Sequence, residues 1–248
     1  MSSPYRVRVD QLLVTRGLVE SRAKAKAAIA AGGVTVNGET IKSGSLLVEE
    51  DVELTAVEAH RFVGRGALKL DHALTLWPIS VEGRVVLDVG ASTGGFTEVC
   101  LERGAAKIFA VDVGSGQMHE RIASRPRVVN LEQTDARTLD AELITEAPGL
   151  IVCDVSFISL AKALPAALDL AEPGADLVCL VKPQFEADGP AGHSKKGVVK
   201  DPEARTSAVE GVRDWLTSIG WTVKETTESP ITGGDGNVEF LLWAVKAS

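Results

Sequence analysis

Four polar residues of this 248-residue chain have the types and places to do chemistry together: Lys69, Asp154, Lys182 and Glu239. Asp154 closes an apolar run in Cys153-Asp-Val-Ser-Phe157, and Lys182 closes another in Val181-Lys-Pro-Gln-Phe185. Glu239 opens the last such run in Asn237-Val-Glu-Phe240, and Lys69 lies on a helix ahead of the first. Ligands bind outside the carboxyl ends of parallel strands, so Asp154 and Lys182 are placed to meet one. Taken singly, each of the four is as readily a solvated end of an apolar segment.

The strongest local signal is the turn Asp88-Val-Gly90-Ala91-Ser92-Thr-Gly94-Gly95-Phe96, which follows an apolar strand and opens a helix. Glycines at such a turn permit unusual backbone angles and let a ligand approach the chain closely. A second strand leads to Asp112-Val113, 22 residues after Gly90, where a carboxylate suits a ribose diol. Asp135-Ala136, after the third strand, offers an acceptor for an adenine amino group or is a plain surface carboxylate. A NAD site would prefer GxGxxG with a pyrophosphate at the helix N-terminus. Here the spacing is GxxxGG, and Asp88 and Asp112 would repel an anion but not a cationic sulfonium nucleoside. The pattern therefore favours S-adenosylmethionine over NAD, with an unliganded structural turn as the remaining alternative.

The elements that must position these residues alternate along the chain. Strand-like runs occur at Val85–Val89, Ile108–Val113, Leu150–Val155, Leu177–Lys182, Trp221–Lys224 and Glu239–Val245, with helices between them. Leu70, Ala73, Leu74 and Trp77 share one helix face, and Asp201-Pro202-Glu203 begins another helix. The alternation predicts an α/β, Rossmann-like, doubly wound and mostly parallel sheet. Ahead of it, helices are predicted over Arg8 to Gly17 and over Arg22 to Ala31, the second capped by Ser21. A strand at Val34–Val36, a tight turn at Asn37-Gly38 and strands at Leu46–Val48 and Val52–Val57 complete a small α+β unit. The expected division is residues 1–59, a linker over 60–66, and a large domain over 67–248. Ala187–Lys200, rich in Gly, Lys and Ser, is expected to be a mobile loop.

Charge sharpens the division. The net charge of −8 argues against nucleic acid, yet residues 1–42 hold seven Lys or Arg against three acids, leaving 19 basic and 31 acidic residues elsewhere. A basic head on an acidic body is what a domain that docks on a polyanion shows. Arg6, Arg8, Arg22, Lys24 and Lys26 are the expected phosphate contacts, with Arg65, between two glycines, as another. Cys100, Cys153 and Cys179 stand singly in apolar stretches, so neither a disulfide framework nor a zinc or other metal site is expected. With no apolar leader and no run of membrane-spanning length, the expectation is a cytoplasmic protein without a membrane partner.

The chain resembles the TlyA proteins, bacterial two-domain rRNA 2′-O-methyltransferases long labelled haemolysins. The resemblance rests on RVDQLLVTRGLVESRAKA, RGALKL, DVGASTGGFTE, AVDVGSGQ, DVSFISL, LVKPQFE, KGVVKDP and GNVEFLLW, and it spans nearly the whole sequence. It implies an N-terminal RNA-binding domain of ribosomal-protein type and an FtsJ-like methyltransferase domain. It also implies S-adenosylmethionine as cofactor, cytidine 2′-hydroxyls of ribosomal RNA or ribosomal subunits as targets, and a Lys-Asp-Lys-Glu tetrad at Lys69, Asp154, Lys182 and Glu239. Leu68, Ser115 and Asp135 depart from the family's usual His, Tyr and Asn.

On this reading Lys182 lies closest to the acceptor hydroxyl, Asp154 and Glu239 orient it, and Lys69 holds the hydroxyl or a neighbouring phosphate. Two carboxylates favour the charged ammonium, whereas Lys69 and burial favour the neutral amine that can serve as base. The rival readings are a NAD-dependent oxidoreductase, an RNA-binding assembly factor that kept the fold and lost catalysis, and a literal haemolysin. A pore former should show amphipathic or alternating elements of membrane length, and the sequence has neither.

Overall fold

The computed structural model describes residues 6–30, 32–56, 61–186, 197–233 and 235–247. Ala31, Val57, His60 and most of the expected mobile loop (187–196) lie outside them. The chain falls into two compact units, Met1–Arg61 and Phe62–Ser248.

The first unit carries β1 (Arg6–Arg8), α1 (Val9–Thr15), α2 (Arg22–Ala30), β2 (Val34–Val36), β3 (Glu39–Thr40), β4 (Leu47–Glu49) and β5 (Leu54–Ala56). Ser21 caps α2, its Oγ accepting from Lys24 N at 3.2 Å. Asn37 and Gly38, both with positive φ, form the tight turn that pairs β2 with β3. The small sheet expected here is in fact two: β1 pairs with β4, and β3-β2-β5 form the other. Val9, Leu13, Ala25, Ala28, Ile29 and Val34 fill the core beneath the helices.

The second unit carries α3 (Ala67–Leu76), β6 (Val85–Val89), α4 (Gly95–Glu102), β7 (Lys107–Val111), α5 (Glu120–Ala123), β8 (Val128–Leu131), β9 (Leu150–Cys153), α6 (Leu160–Ala163), α7 (Pro165–Leu170), β10 (Asp176–Val181), α8 (Pro183–Glu186), α9 (Pro202–Ser218), β11 (Trp221–Glu228) and β12 (Phe240–Lys246). Its strands make one seven-stranded sheet in the order β11-β12-β10-β9-β6-β7-β8. Strands β6 to β10 run parallel, and β12 is antiparallel to both its neighbours. The strand order reverses between β6 and β9, which opens a crevice at their carboxyl ends.

Alternate side chains of each strand enter opposite cores. Val86, Ile108, Val152 and Leu180 pack with α3 and α4, whereas Leu87, Phe109, Ile151 and Leu177 pack with α6, α7 and α9. That two-sided burial explains why these strands read as unbroken apolar runs. Strand β8 has no counterpart among the six runs, because it is a partly exposed edge strand and lacks their continuous apolar character. The three cysteines are buried, and burial raises each thiol above its ordinary range.

Candidate active site

The crevice holds two adjoining cavities. The first, of about 380 Å³, is walled by the β6–α4 turn, the loop after β7, the residues after β8 and the segment after β9. Gly90 is required at its centre: with φ +85°, a Cβ there would lie 2.8 Å from the Asp154 carbonyl oxygen. Asp112 accepts from Ser92 N at 2.8 Å and from Gly114 N at 2.7 Å, so one carboxylate fastens two loops. Glu132 fastens the second loop again, accepting from the backbone nitrogens of Gly116, Gln117 and Met118, and these bonds hold its carboxyl below its usual range.

Of the residues expected to bind the cofactor, Gly90, Ser92, Asp112, Val113, Asp135 and Ala136 line this cavity. Ala91, Gly95 and Phe96 line its neighbour instead. Gly94, at φ +90°, caps α4 beside Ile122 and lines neither. Asp88 lines neither cavity. It is fully buried under the turn, where Thr97 Oγ1 donates to it at 2.6 Å. Burial pushes its carboxyl up to about 7, so it offers a ligand neither surface nor a dependable negative charge. Asp135 is engaged by Arg137, whose guanidinium and backbone N–H hold its carboxyl at about 2. Gln117, Thr134, Arg137, Ser156 and Phe157 also line the cavity and were not singled out as binding residues; Phe157 and Ser156 stood in the quoted DVSF stretch.

The second cavity, of about 260 Å³, is lined by Gly64, Arg65, Lys69, Thr93, Asp154, Ser156 and Lys182, among others. The two cavities share Gly90, Ser92, Asp154 and Ser156. Lys69 reaches in from α3, and its Nζ lies 2.5 Å from Glu239 Oε2 and 3.5 Å from Asp154 Oδ2. Lys182 Nζ stands 2.6 Å from Asp154 Oδ1, an ion pair whose angles fall outside hydrogen-bond geometry, and donates to Ser156 Oγ at 2.9 Å. The four residues expected to act together therefore meet, from elements 170 residues apart. Their pairing differs from the expectation, because Glu239 engages Lys69 and not Lys182. Asp154 is the carboxylate that stands between the two lysines.

The first unit also departs from expectation. Arg6 and Lys26 are exposed, but Arg8 and Arg22 both bind the fully buried Asp10, at 2.9 and 3.0 Å. These bonds hold the Asp10 carboxyl well below its usual range. Lys24 differs from Lys26 in being buried on α2, with its Nζ 3.2 Å from Glu20 Oε2. Arg65 is exposed at the edge of the second cavity and donates to the Thr232 carbonyl at 3.3 Å.

The FtsJ-like methyltransferase family matches residues 62–246, and the S4 domain matches residues 7–54. The 16S/23S rRNA (cytidine-2′-O)-methyltransferase TlyA of Mycobacterium tuberculosis is 46% identical over 240 residues, 96% of this chain and 89% of its own length. The chain belongs to the TlyA family. It is a methyltransferase with an S4 domain ahead of an FtsJ-like domain. A hemolysin-labelled structure from Streptococcus thermophilus has a TM-score of 0.78 at 38% identity, covering 99% of this chain and 90% of that one. An S-adenosylmethionine-dependent methyltransferase of Mesorhizobium loti, at 15% identity and a TM-score of 0.52, covers 73% of this chain and 99% of that one and shares the fold alone. Among the described residues, no helix is long and apolar enough to cross a membrane and no cluster of acidic, Cys or His side chains can hold a metal ion.

Proposed function

We propose that this TlyA-family chain transfers a methyl group from S-adenosylmethionine to a cytidine 2′-hydroxyl of ribosomal RNA, in the cytoplasm where ribosomes are. The observation that carries the reading is the pair of cavities meeting at Gly90, Ser92, Asp154 and Ser156, with both lysines on one side of the junction. The first cavity fits the cofactor. Gly90 leaves backbone room, Asp112 offers acceptors for a diol, and Val113, Ala136 and Ile158 offer an apolar slot for a base. When bound, S-adenosylmethionine supplies a methyl group on a sulfonium, whose sulfur keeps the bonding pair as the methyl leaves.

The protein's part is to place the acceptor and draw off its proton. A ribose in the second cavity has Lys182 and Lys69 beside it and Arg65 at the rim for a phosphate. Holding two bound partners in line supplies most of the rate in such a transfer. Lys182, as the neutral amine, accepts the hydroxyl proton and becomes the ammonium that Asp154 pairs with, while Glu239 pairs with Lys69. Phe157, exposed at the rim, presents an apolar face on which a base can stack. The S4 domain adds affinity through phosphate contacts from Arg6 and Lys26, which position RNA without reading its sequence. Labelled S-adenosylmethionine incubated with unmethylated bacterial ribosomal particles, then digested to nucleosides, should yield 2′-O-methylcytidine. Label on a base, or on protein, would overturn the assignment.

A further inference from the structure

We infer that Ser156 is a positioning residue for Lys182 in methyl transfer, an inference that rests on reading the two cavities as donor and acceptor sites. The Lys182 amine is drawn toward Asp154 by charge, yet that contact lacks hydrogen-bond geometry. Its directed bond is the one to Ser156 Oγ at 2.9 Å. A lysine head group rotates on a flexible stem, and only directional bonds fix where its remaining N–H groups or lone pair point. Ser156 is one of the four residues shared by both cavities, so it stands beside the passage the methyl group must cross.

The chain around Ser156 is built to hold that hydroxyl in place. Phe157, the next residue, has φ +67°, a left-handed conformation that a bulky residue rarely adopts. Its ring lies 5.2 Å from that of Phe185, three residues beyond Lys182. Leu160 N donates to Glu186 Oε1 at 2.9 Å. These two contacts clip the segment carrying Ser156 to the segment carrying Lys182. A serine serving only to satisfy a surface lysine would need no such bracing, and Lys182 is 6% exposed.

The test uses the full chain with Ser156→Ala and Ser156→Thr. Methyl transfer to unmethylated ribosomal particles and direct titration with S-adenosylmethionine are measured for each. Ser156→Ala should lower kcat about tenfold, while the Kd for S-adenosylmethionine and the KM for RNA stay within about twofold. Ser156→Thr, which keeps the hydroxyl, should return kcat to within about threefold of wild type. Wild-type kcat in Ser156→Ala, a loss confined to cofactor affinity, or a threonine variant as slow as the alanine one would overturn the role. A wild type that binds the cofactor but methylates no RNA would overturn the underlying reading, and the role of Ser156 with it.

Discussion

Lys69 Nζ and Glu239 Oε2 lie 2.5 Å apart although 170 residues separate them, and both side chains are buried. The pair joins the helix before the sheet to the residue that precedes its last strand in the chain, so it braces the fold at the site. Removing Lys69 leaves Glu239 as an uncompensated buried charge, and removing Glu239 leaves Lys69 with only the longer contact to Asp154 at 3.5 Å. Glu239→Ala should therefore lower unfolding free energy by about 3 kcal/mol and abolish methyl transfer. The double variant Lys69→Met with Glu239→Leu should recover much of that stability and none of the activity. Denaturant titration with activity assays checks both, and an active double variant would remove this pair from the mechanism.

Asp88 makes a second prediction, through pH. Its carboxyl titrates near 7 when folded against 3.8 as the ordinary value, because burial disfavours the charge. A raised carboxyl binds its proton more tightly in the folded state. Its contribution to stability is full below pH 3.8 and is lost as pH rises toward and through 7. Asp88→Asn, which keeps the acceptor for Thr97, should gain stability relative to wild type as pH rises from 4 to 8. Thermal unfolding of both proteins across that range reads the difference, and parallel curves would refute the burial argument.

Asp112 holds Ser92 N and Gly114 N with its two oxygens, so its loss frees both loops of the donor cavity. Asp112→Ala should weaken S-adenosylmethionine binding about tenfold or more by calorimetric titration, whereas unfolding free energy should fall by about 1–2 kcal/mol. An unchanged Kd would show that the loops need no such fastening.

The S4 domain separates two lysines that look alike in sequence. Lys26 is exposed, and Lys24 is buried beside Glu20. Lys26→Ala should reduce the slope of log affinity against log salt by about 0.8, the share of one phosphate contact, while Lys24→Ala should leave the slope alone. RNA binding measured across salt concentrations decides, and equal slopes for the two variants would contradict the burial of Lys24.

The large domain was legible because burial on both faces makes strands such as β6, β9 and β10 unbroken apolar runs. The same rule left the third strand, β8, without bounds, because its edge position leaves it partly exposed. Strand β1 was hidden differently: it is three residues long and runs directly into α1, so the sequence assigns Arg6 and Val7 to no element and Arg8 reads as the start of the helix. At the site, residue types and strand ends pointed to the four charged residues, but sequence spacing carries no information on which lysine meets which carboxylate across a fold. Glu239 was accordingly assigned to the wrong lysine. Lys24 had a readable signal, since two residues along a helix turn a side chain by about 200°, away from the face of Arg22 and Lys26. Ser156 had none beyond its place in the DVSF stretch, because its significance is the distance to a lysine 26 residues away.

The most direct test compares wild type with Lys182→Ala in a single-turnover reaction on unmethylated ribosomal particles, with S-adenosylmethionine binding measured for both. Label on a ribose 2′-oxygen with the wild type only, at equal cofactor affinity, is the predicted result. Equal rates of ribose methylation by the two proteins would contradict the account.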